Sequence, residues 1–208
     1  MGLTLSPAGL VFLFPEFFAQ KASIGGFKSP CSGIKIKHDK MLEAMAVSTF
    51  AYMEHRGVIR VVPTKRGRIF KRNTLAVVKQ KNFDPRRYGY LSYKIGRLYP
   101  GRWITMYDAL VRNIEVEHPT KYMISRIFVY DLANRGLFYQ NKASKPVCQN
   151  IYLYSQQANW LRNLYIQYYR YRGAYCKIIT DELKRALGAM QKREEIDWDV
   201  DIDIDFSD

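Results

Sequence analysis

A chain of 208 residues is long enough to bury one hydrophobic core without disulfide staples, and its 48% hydrophobic and 14% aromatic residues exclude wholesale disorder. The 33 lysine and arginine residues exceed the 19 acidic residues and give a formal net charge of +14. Because such an excess attracts polyanions over a long range, we expect a partner that is itself acidic. Three cysteines without a Cys-x-x-Cys pair predict reduced thiols in the cytoplasm and no metal site.

The apolar N-terminus, Leu3 to Phe18, predicts a first buried helix. It has no basic segment ahead of it, contains Pro7 and Pro15, and includes Glu16, so the sequence argues against a signal peptide or a membrane span. No later stretch approaches the length of a membrane span. Any membrane contact is therefore expected to be peripheral.

A unit of one helix and one hairpin is predicted twice. In the first unit, about residues 40–80, a helix ends at Arg56 and Gly57 and a basic hairpin follows. In the second, about residues 120–155, a helix ends at Arg135 and Gly136, and the return strand is predicted at Ile151 to Tyr154. The predicted fold class is mainly α with β-hairpins, a helical bundle with two winged-helix-like units in a single globular domain over residues 1–193.

Positive charge is concentrated between Arg56 and Arg102, where 14 basic residues stand against one acid. A predicted membrane-facing basic patch on the first hairpin comprises Lys65, Arg66, Arg68, Lys71 and Arg72. Winged helices set such residues on DNA phosphates and place the preceding helix in the major groove. Since that helix has few side chains able to read base edges, contact with phosphates, of lipids or of a nucleic acid, is the stronger prediction.

The region from Asn150 to Gln191 is helical in pattern and dense in tyrosine. Its aromatic and arginine side chains suit stacking on single-stranded bases, but a stripe at helical spacing favours a core position. That stripe is Trp160, Leu161, Leu164, Tyr165 and Tyr168. A last helix is predicted to begin at Thr180.

The final fifteen residues, 194–208, contain eight acids and no base. This composition predicts a disordered acidic tail. The tail either docks on the basic segment from Arg56 to Arg102, here called the basic block, or serves solubility alone. If it docks, it competes with the anion that the basic block binds.

The sequence lacks the patterns that usually carry catalysis: a phosphate-binding glycine loop, a nucleophile elbow and a zinc-binding helix motif. Glu115, Glu117 and His118 form a mixed cluster of acids and imidazole, which is predicted to be a solvated loop before Pro119. We therefore predict no enzyme and no cofactor.

The order of these features resembles a known family. A helix ends in Arg56-Gly57-Val58-Ile59, a basic hairpin follows, Trp103-Ile104 is expected to begin a further helix, and a later helix ends in Leu132 to Leu137. This order resembles the Golgi phosphoprotein 3 family, peripheral Golgi proteins that bind phosphatidylinositol 4-phosphate and the cytosolic tails of glycosyltransferases and link them to coatomer. The resemblance spans roughly Leu3 to Leu187.

The resemblance implies a headgroup pocket made by one tryptophan and three arginines. The corresponding positions here are Lys37, Ala46, Tyr122 and Ser125, none of which keeps the family residue. Basic residues near these positions, including Lys35, are predicted to replace the family's arginines as cationic donors to the phosphate. The predicted lipid-phosphate residues are Lys37, Lys40, Lys121 and Arg126. A lysine acts as a point charge, whereas arginine provides a fixed fork of donors.

The resulting prediction is a peripheral adaptor that binds an anionic phospholipid on Golgi membranes and retains glycosyltransferases through their cytosolic tails. Coatomer and a second copy of the chain are further expected partners. The alternatives are a winged-helix nucleic-acid-binding protein and a basic subunit of a larger assembly. Charge alone does not separate them, because lipids and nucleic acids both present phosphates.

Overall fold

The structure, a computed structural model, describes residues 2–22, 25–29, 31–67, 72–133 and 151–191. This part of the chain is mostly helical with two small antiparallel sheets, and every helix contributes to its hydrophobic core. The helices are α1 (Pro7–Leu13), α2 (His38–His55), α3 (Pro85–Tyr88), α4 (Tyr93–Gly96), α5 (Met106–Leu110), α6 (Pro119–Asp131) and α7 (Ile151–Met190). The strands are β1 (Phe27–Lys28), β2 (Lys35–Ile36), β3 (Ile59–Arg66), β4 (Arg72–Lys79) and β5 (Trp103–Thr105).

The predicted N-terminal helix is present but short. Ser6 caps α1 by accepting a hydrogen bond from the Gly9 N–H at 3.0 Å, and all seven residues of the helix are buried. A 3-10 turn at Pro15–Phe17 follows. Because proline disfavours helical backbone in the residue before it, Pro15 ends α1 within the apolar run.

Helix α2 lies at the centre of the molecule. Twelve of its 18 residues are buried, and it packs mainly against α1 and α7. As predicted, it ends at Arg56 and Gly57: Gly57 has a φ of 60°, its N–H donates to the Glu54 carbonyl, and the Val58 N–H donates to the Met53 carbonyl. The predicted fold class, mainly α with β-hairpins, is thus confirmed, whereas a winged-helix arrangement of the first unit is not.

The predicted first hairpin is confirmed as β3 and β4, paired in register from Ile59 opposite Lys79 to Arg66 opposite Arg72. Strand β5 adds to β4, with Trp103 opposite Val78. The expectation that Trp103 begins a helix is therefore wrong. The helix α5 starts three residues later, where the Thr105 hydroxyl accepts a hydrogen bond from the Asp108 N–H.

Helix α7 runs antiparallel to α2. Arg172 contacts Glu54 near the end of α2, whereas Lys184 contacts Glu43 near its start, with N to O distances of 3.4 and 3.5 Å. The predicted aromatic stripe faces the core, but the predicted helix start at Thr180 is wrong, since that residue lies inside α7. The interruption of α7 falls at Arg172, whose backbone is not helical.

Of the second predicted unit of one helix and one hairpin, only the helix is confirmed. Helix α6 is present, but residues 134–150, which include Arg135 and Gly136, lie outside the described residues. The predicted return strand from Ile151 to Tyr154 is wrong, because these residues form the first turn of α7. Residues 194–208, the predicted tail, also lie outside the described part of the chain.

The thiol prediction is confirmed for Cys176, which is free and fully buried, and burial raises its pKa to about 12. It is wrong for Cys31, which is disulfide-bonded. Among the described helices, none combines the length and the hydropathy needed to cross a bilayer.

A buried carboxylate joins the N-terminus to the rest of the helical core. Asp131, the last residue of α6, accepts hydrogen bonds from the Ser6 hydroxyl at 2.6 Å and the Tyr90 N–H at 2.8 Å. Gly89 has a φ of 88°, and a Cβ at this position would overlap the Asp131 carboxylate. Three segments distant in sequence therefore meet at one side chain.

Replacing Asp131 with alanine is expected to lower the free energy of unfolding by about 2–4 kcal/mol, because the Ser6 hydroxyl and the Tyr90 N–H both lose their acceptor in a buried place. Urea unfolding followed by circular dichroism measures the change. Asp181→Ala is the control, since Asp181 is exposed on α7. Equal stability of the two variants would contradict this role of Asp131.

Candidate anion-binding site

A cavity of about 520 Å³ opens between the N-termini of α2 and α6. Lys37 precedes α2 and His118 precedes α6, and neither side chain caps its helix. The first backbone N–H groups of a helix have no acceptor within that helix, and the helix dipole adds partial positive charge there. Two such ends at one cavity favour an anion.

Charged side chains of both signs line this cavity. Its described lining is Gly26, Lys37, His38, Asp39, Glu117, His118, Pro119, Thr120, Lys121 and Gln191. The two lysines offset the two carboxylates in formal charge. The features that favour an anion are therefore the helix N-termini and the positions of the two lysines. The carboxylates add acceptors for hydroxyl groups.

Two of the four predicted lipid-phosphate residues, Lys37 and Lys121, line the same cavity. Lys40 instead lines a neighbouring cavity that it shares with Lys37, and its Nζ donates to Glu43 at 3.0 Å, a hydrogen bond that raises the pKa of Lys40. Arg126 lies elsewhere, with its guanidinium 6.0 Å from the centroid of the Tyr90 ring. Five residues along a helix turn a side chain by about 140°, which separates Arg126 from Lys121.

The four positions implied by the family resemblance do not form a cationic pocket. Ala46 is fully buried in the core, Tyr122 is half-buried, and Ser125 is exposed. Lys37 is the one member of this set that both carries a charge and lines the cavity.

Two arginines of the predicted basic patch on the hairpin are engaged in ion pairs. Lys65 is exposed, but Arg66 pairs with Asp108 at 3.3 Å and Arg72 pairs with Glu182 at 3.3 Å. Glu182 is buried and also accepts a hydrogen bond from the Thr74 hydroxyl at 2.8 Å. Arg68 and Lys71 lie outside the described residues.

Other lysines of the basic block hold the fold together. The buried Lys79 Nζ donates to the carbonyls of Gly96 and Leu98, and the Lys94 Nζ donates to those of Asp108 and Val111. Burial lowers the pKa of both lysines. The charge of the block is thus divided between internal contacts and the surface.

The last described pair of the hairpin, Arg66 and Arg72, which we call the hairpin tip, lies at the same end of the molecule as the cavity. Arg72 at the tip contacts Glu182 of α7, Glu43 near the start of α2 contacts Lys184, and Gln191 lines the cavity. About 14 Å of helix separates Glu182 from Gln191 at 1.5 Å per residue. Lys37 and Lys121 therefore share one end of the molecule with Arg66 and Arg72, two described residues of the predicted basic patch.

The opposite end carries exposed aromatic side chains. Tyr99 is 80% exposed and Trp103 is 55% exposed, and Arg97 and Arg102 flank them. The segment is tied to the base of the hairpin, since the Gly101 N–H donates to the Lys79 carbonyl and the Lys79 N–H to the Arg102 carbonyl. It lies near the C-terminus of α2, about 27 Å along that helix from the cavity.

Sequence reasoning missed three contributors to these surfaces. Glu117 and His118 were predicted to be loop residues only, whereas both line the cavity. The signal that marks them is Pro119, a residue favoured at the first position of a helix, which predicts a helix end directly after His118. Arg185, which joins Arg66 and Arg72 around a second cleft, had no local signal.

Comparison of the chain with protein-family models, with curated proteins and with solved structures finds no match. Within the described residues, no group of three or more histidine, cysteine or acidic side chains is placed to hold a metal ion.

Replacing Arg72 with alanine is expected to lower the free energy of unfolding by about 1–3 kcal/mol, because Glu182 stays buried and loses its nearest cation. Lys65→Ala removes the same charge from the same hairpin at an exposed position and is expected to change stability by less than about 0.5 kcal/mol. Thermal and urea unfolding of both variants measure the difference. If Arg72→Ala leaves the free energy of unfolding unchanged, the ion pair with Glu182 does not stabilise the fold, and Arg72 belongs with the free cations of the basic patch.

Proposed function

We propose that this protein is a peripheral membrane adaptor that binds the phosphate of an anionic lipid headgroup in the cavity between α2 and α6. The observation that carries the proposal is the meeting of two helix N-termini, neither capped by its preceding side chain, with Lys37 and Lys121 at one cavity. Helix N-termini bind phosphate through backbone N–H groups and the helix dipole, and lysines add charge.

The acids of the cavity favour a phosphorylated polyol over a simple anion. Asp39 and Glu117 repel a bare phosphate, which limits its affinity, but each accepts hydrogen bonds from hydroxyl groups. An inositol ring supplies such hydroxyls beside its phosphate, whereas the headgroup of phosphatidylserine does not. The resemblance to the Golgi phosphoprotein 3 family leads us to name phosphatidylinositol 4-phosphate as the lipid and the Golgi as the membrane.

The hairpin tip supports the same orientation on the membrane. Lys65 is exposed at the end of the molecule that holds the cavity, so a surface that meets the cavity also meets the hairpin. Each lysine or arginine close to an anionic leaflet contributes about 1 kcal/mol, and salt screens this attraction. The resulting binding is reversible.

An adaptor needs a second surface that stays accessible on the membrane. The exposed Tyr99 and Trp103 with Arg97 and Arg102 lie at the other end of α2, and tyrosine, tryptophan and arginine are the residues most enriched in protein interfaces. We assign the cargo, the cytosolic tails of glycosyltransferases in the resembled family, to this aromatic end. Coatomer is the further partner that the resemblance implies.

The double variant Lys37→Gln, Lys121→Gln is expected to bind vesicles containing phosphatidylinositol 4-phosphate at least about tenfold more weakly, because two cationic contacts to the phosphate are lost. Co-sedimentation at physiological salt measures the affinity, with phosphatidylserine vesicles of equal charge beside it. The phosphatidylserine affinity is expected to fall less, since it follows overall charge.

The matched control is Lys81→Gln, Arg97→Gln, which removes the same two charges from exposed positions at the opposite end. An equal loss of binding in both double variants would mean that charge alone drives the interaction and would overturn the cavity as the site. Displacement of the vesicles by duplex DNA would favour the nucleic-acid alternative.

Replacing Trp103 with serine is expected to leave vesicle binding unchanged within about twofold, because this side chain lies at the end away from the membrane. Interfacial tryptophans that contact lipid usually strengthen membrane binding. A marked loss of vesicle binding in Trp103→Ser would place the aromatic end on the membrane instead and reverse the proposed orientation.

A further inference from the structure

A second cleft lies between the hairpin tip, α5 and the C-terminal part of α7. It encloses about 410 Å³, and its described lining is Arg66, Gly67, Arg72, Tyr107 and Arg185. Three arginines from three different elements therefore line one space. None of them lines the cavity between α2 and α6.

Carboxylates and a ring hold these guanidinium groups in place. The Cζ of Arg66 lies 4.0 Å from the centroid of the Tyr107 ring, and its Nη2 lies 3.3 Å from Asp108. Glu182 lies 3.3 Å from Arg72 and 3.8 Å from Arg185. Since a guanidinium has five N–H donors, one ion pair leaves others available to a ligand.

Arg72 has a donor that needs an acceptor. Its Nε is buried and has no hydrogen-bond partner within the described residues. A buried N–H of a charged group without an acceptor is unfavourable, and such groups are rare in folded proteins. Because this nitrogen is closed to solvent, a ligand in the cleft reaches only the exposed part of the Arg72 side chain, about a third of it.

The charge of the cleft also favours an anion. Three arginines stand against two carboxylates, Asp108 and Glu182, which leaves a formal excess of +1. The buried Glu182 is shared between Arg72 and Arg185 and accepts the Thr74 hydroxyl as well, so it does not fully compensate either arginine.

We propose that this cleft binds a phosphoryl group. A carboxylate offers two oxygens in one plane, whereas a tetrahedral phosphoryl group presents oxygens in three directions to three guanidinium groups. Arginine forks match phosphate oxygens in bidentate geometry, and the ring of Tyr107 fixes the direction of one fork. The group comes either from a soluble phosphate compound or from a lipid with a terminal phosphate.

The test measures pyrophosphate binding by calorimetry at 150 mM salt, in a background with Lys37→Gln and Lys121→Gln so that the first cavity does not contribute. Arg185→Gln in this background is expected to raise the dissociation constant about tenfold. Arg185 is half exposed and Glu182 keeps Arg72 and Thr74, so the variant should fold, which its melting temperature checks.

Lys184→Gln is the matched control, because it removes one charge from the adjacent position, where the side chain contacts Glu43 instead of the cleft. Its dissociation constant is expected to stay within about twofold of the background. Absence of pyrophosphate binding in the background protein overturns the proposal, and so does an equal loss in both variants.

A second measurement separates a lipid phosphate from a soluble one. It compares binding to vesicles containing phosphatidic acid with binding to phosphatidylserine vesicles of equal charge. A lipid source predicts that Arg185→Gln weakens the phosphatidic acid binding selectively. A soluble source predicts that vesicle binding is unchanged while pyrophosphate binding falls. Either pattern supports the cleft, and the result is independent of whether Lys37 and Lys121 bind a lipid.

Discussion

The carboxylates of Glu54 in α2 and Glu182 in α7 hold the basic hairpin in position against the helices. Glu54 of α2 accepts hydrogen bonds from the Val61 N–H at 2.9 Å and the Tyr168 hydroxyl at 3.0 Å, and it pairs with Arg172. At the other end of the hairpin, Glu182 binds Arg72. The burial of Tyr168 and the negative charge of Glu54 raise the pKa of the Tyr168 hydroxyl, which keeps it protonated as a donor. These contacts bring the hairpin tip beside the end of α7, and the cleft lined by Arg66, Arg72 and Arg185 depends on that placement.

The elements that sequence reasoning predicted correctly are those with strong local signals. Helix α2 combines an apolar pattern with the left-handed Gly57 that follows Arg56 at its end. In the hairpin after it, β3 alternates between buried and more exposed residues from Ile59 to Val62, whereas β4 is buried at four consecutive residues, Thr74 to Val77. The failures depend on contacts distant in sequence. Strand β5 has three residues and exists because it pairs with β4, and Ile151 to Tyr154 suit a strand or a helix by composition alone. The interruption at Arg172 does have a local signal, since Arg172 and Gly173 repeat the dipeptide that ends α2.

Formal charge was a poor guide to the free cationic surface. Lys79 and Lys94 bind main-chain carbonyls inside the fold, and Arg66 and Arg72 are held by carboxylates. Lys37 and Lys121, both named from the sequence, line one cavity. The sequence did not reveal Arg185, because nothing in α7 marks which turn meets the hairpin. Identifying a cluster of this kind requires the packing of α7 against β4, which no local pattern encodes.

One of the two edges of the three-stranded sheet, strand β3, is closed to further strands over part of its length. The Val58 carbonyl bonds to Gln80, so the alternation of an antiparallel pair turns the backbone groups of Val61 and Pro63 away from β4. At Val61, the N–H donates to Glu54 and the carbonyl accepts from Arg172, while Pro63 has no N–H to offer. An incoming strand would find no usable ladder along this part of β3. This part of β3 therefore resists the edge-to-edge pairing by which exposed strands join copies into aggregates.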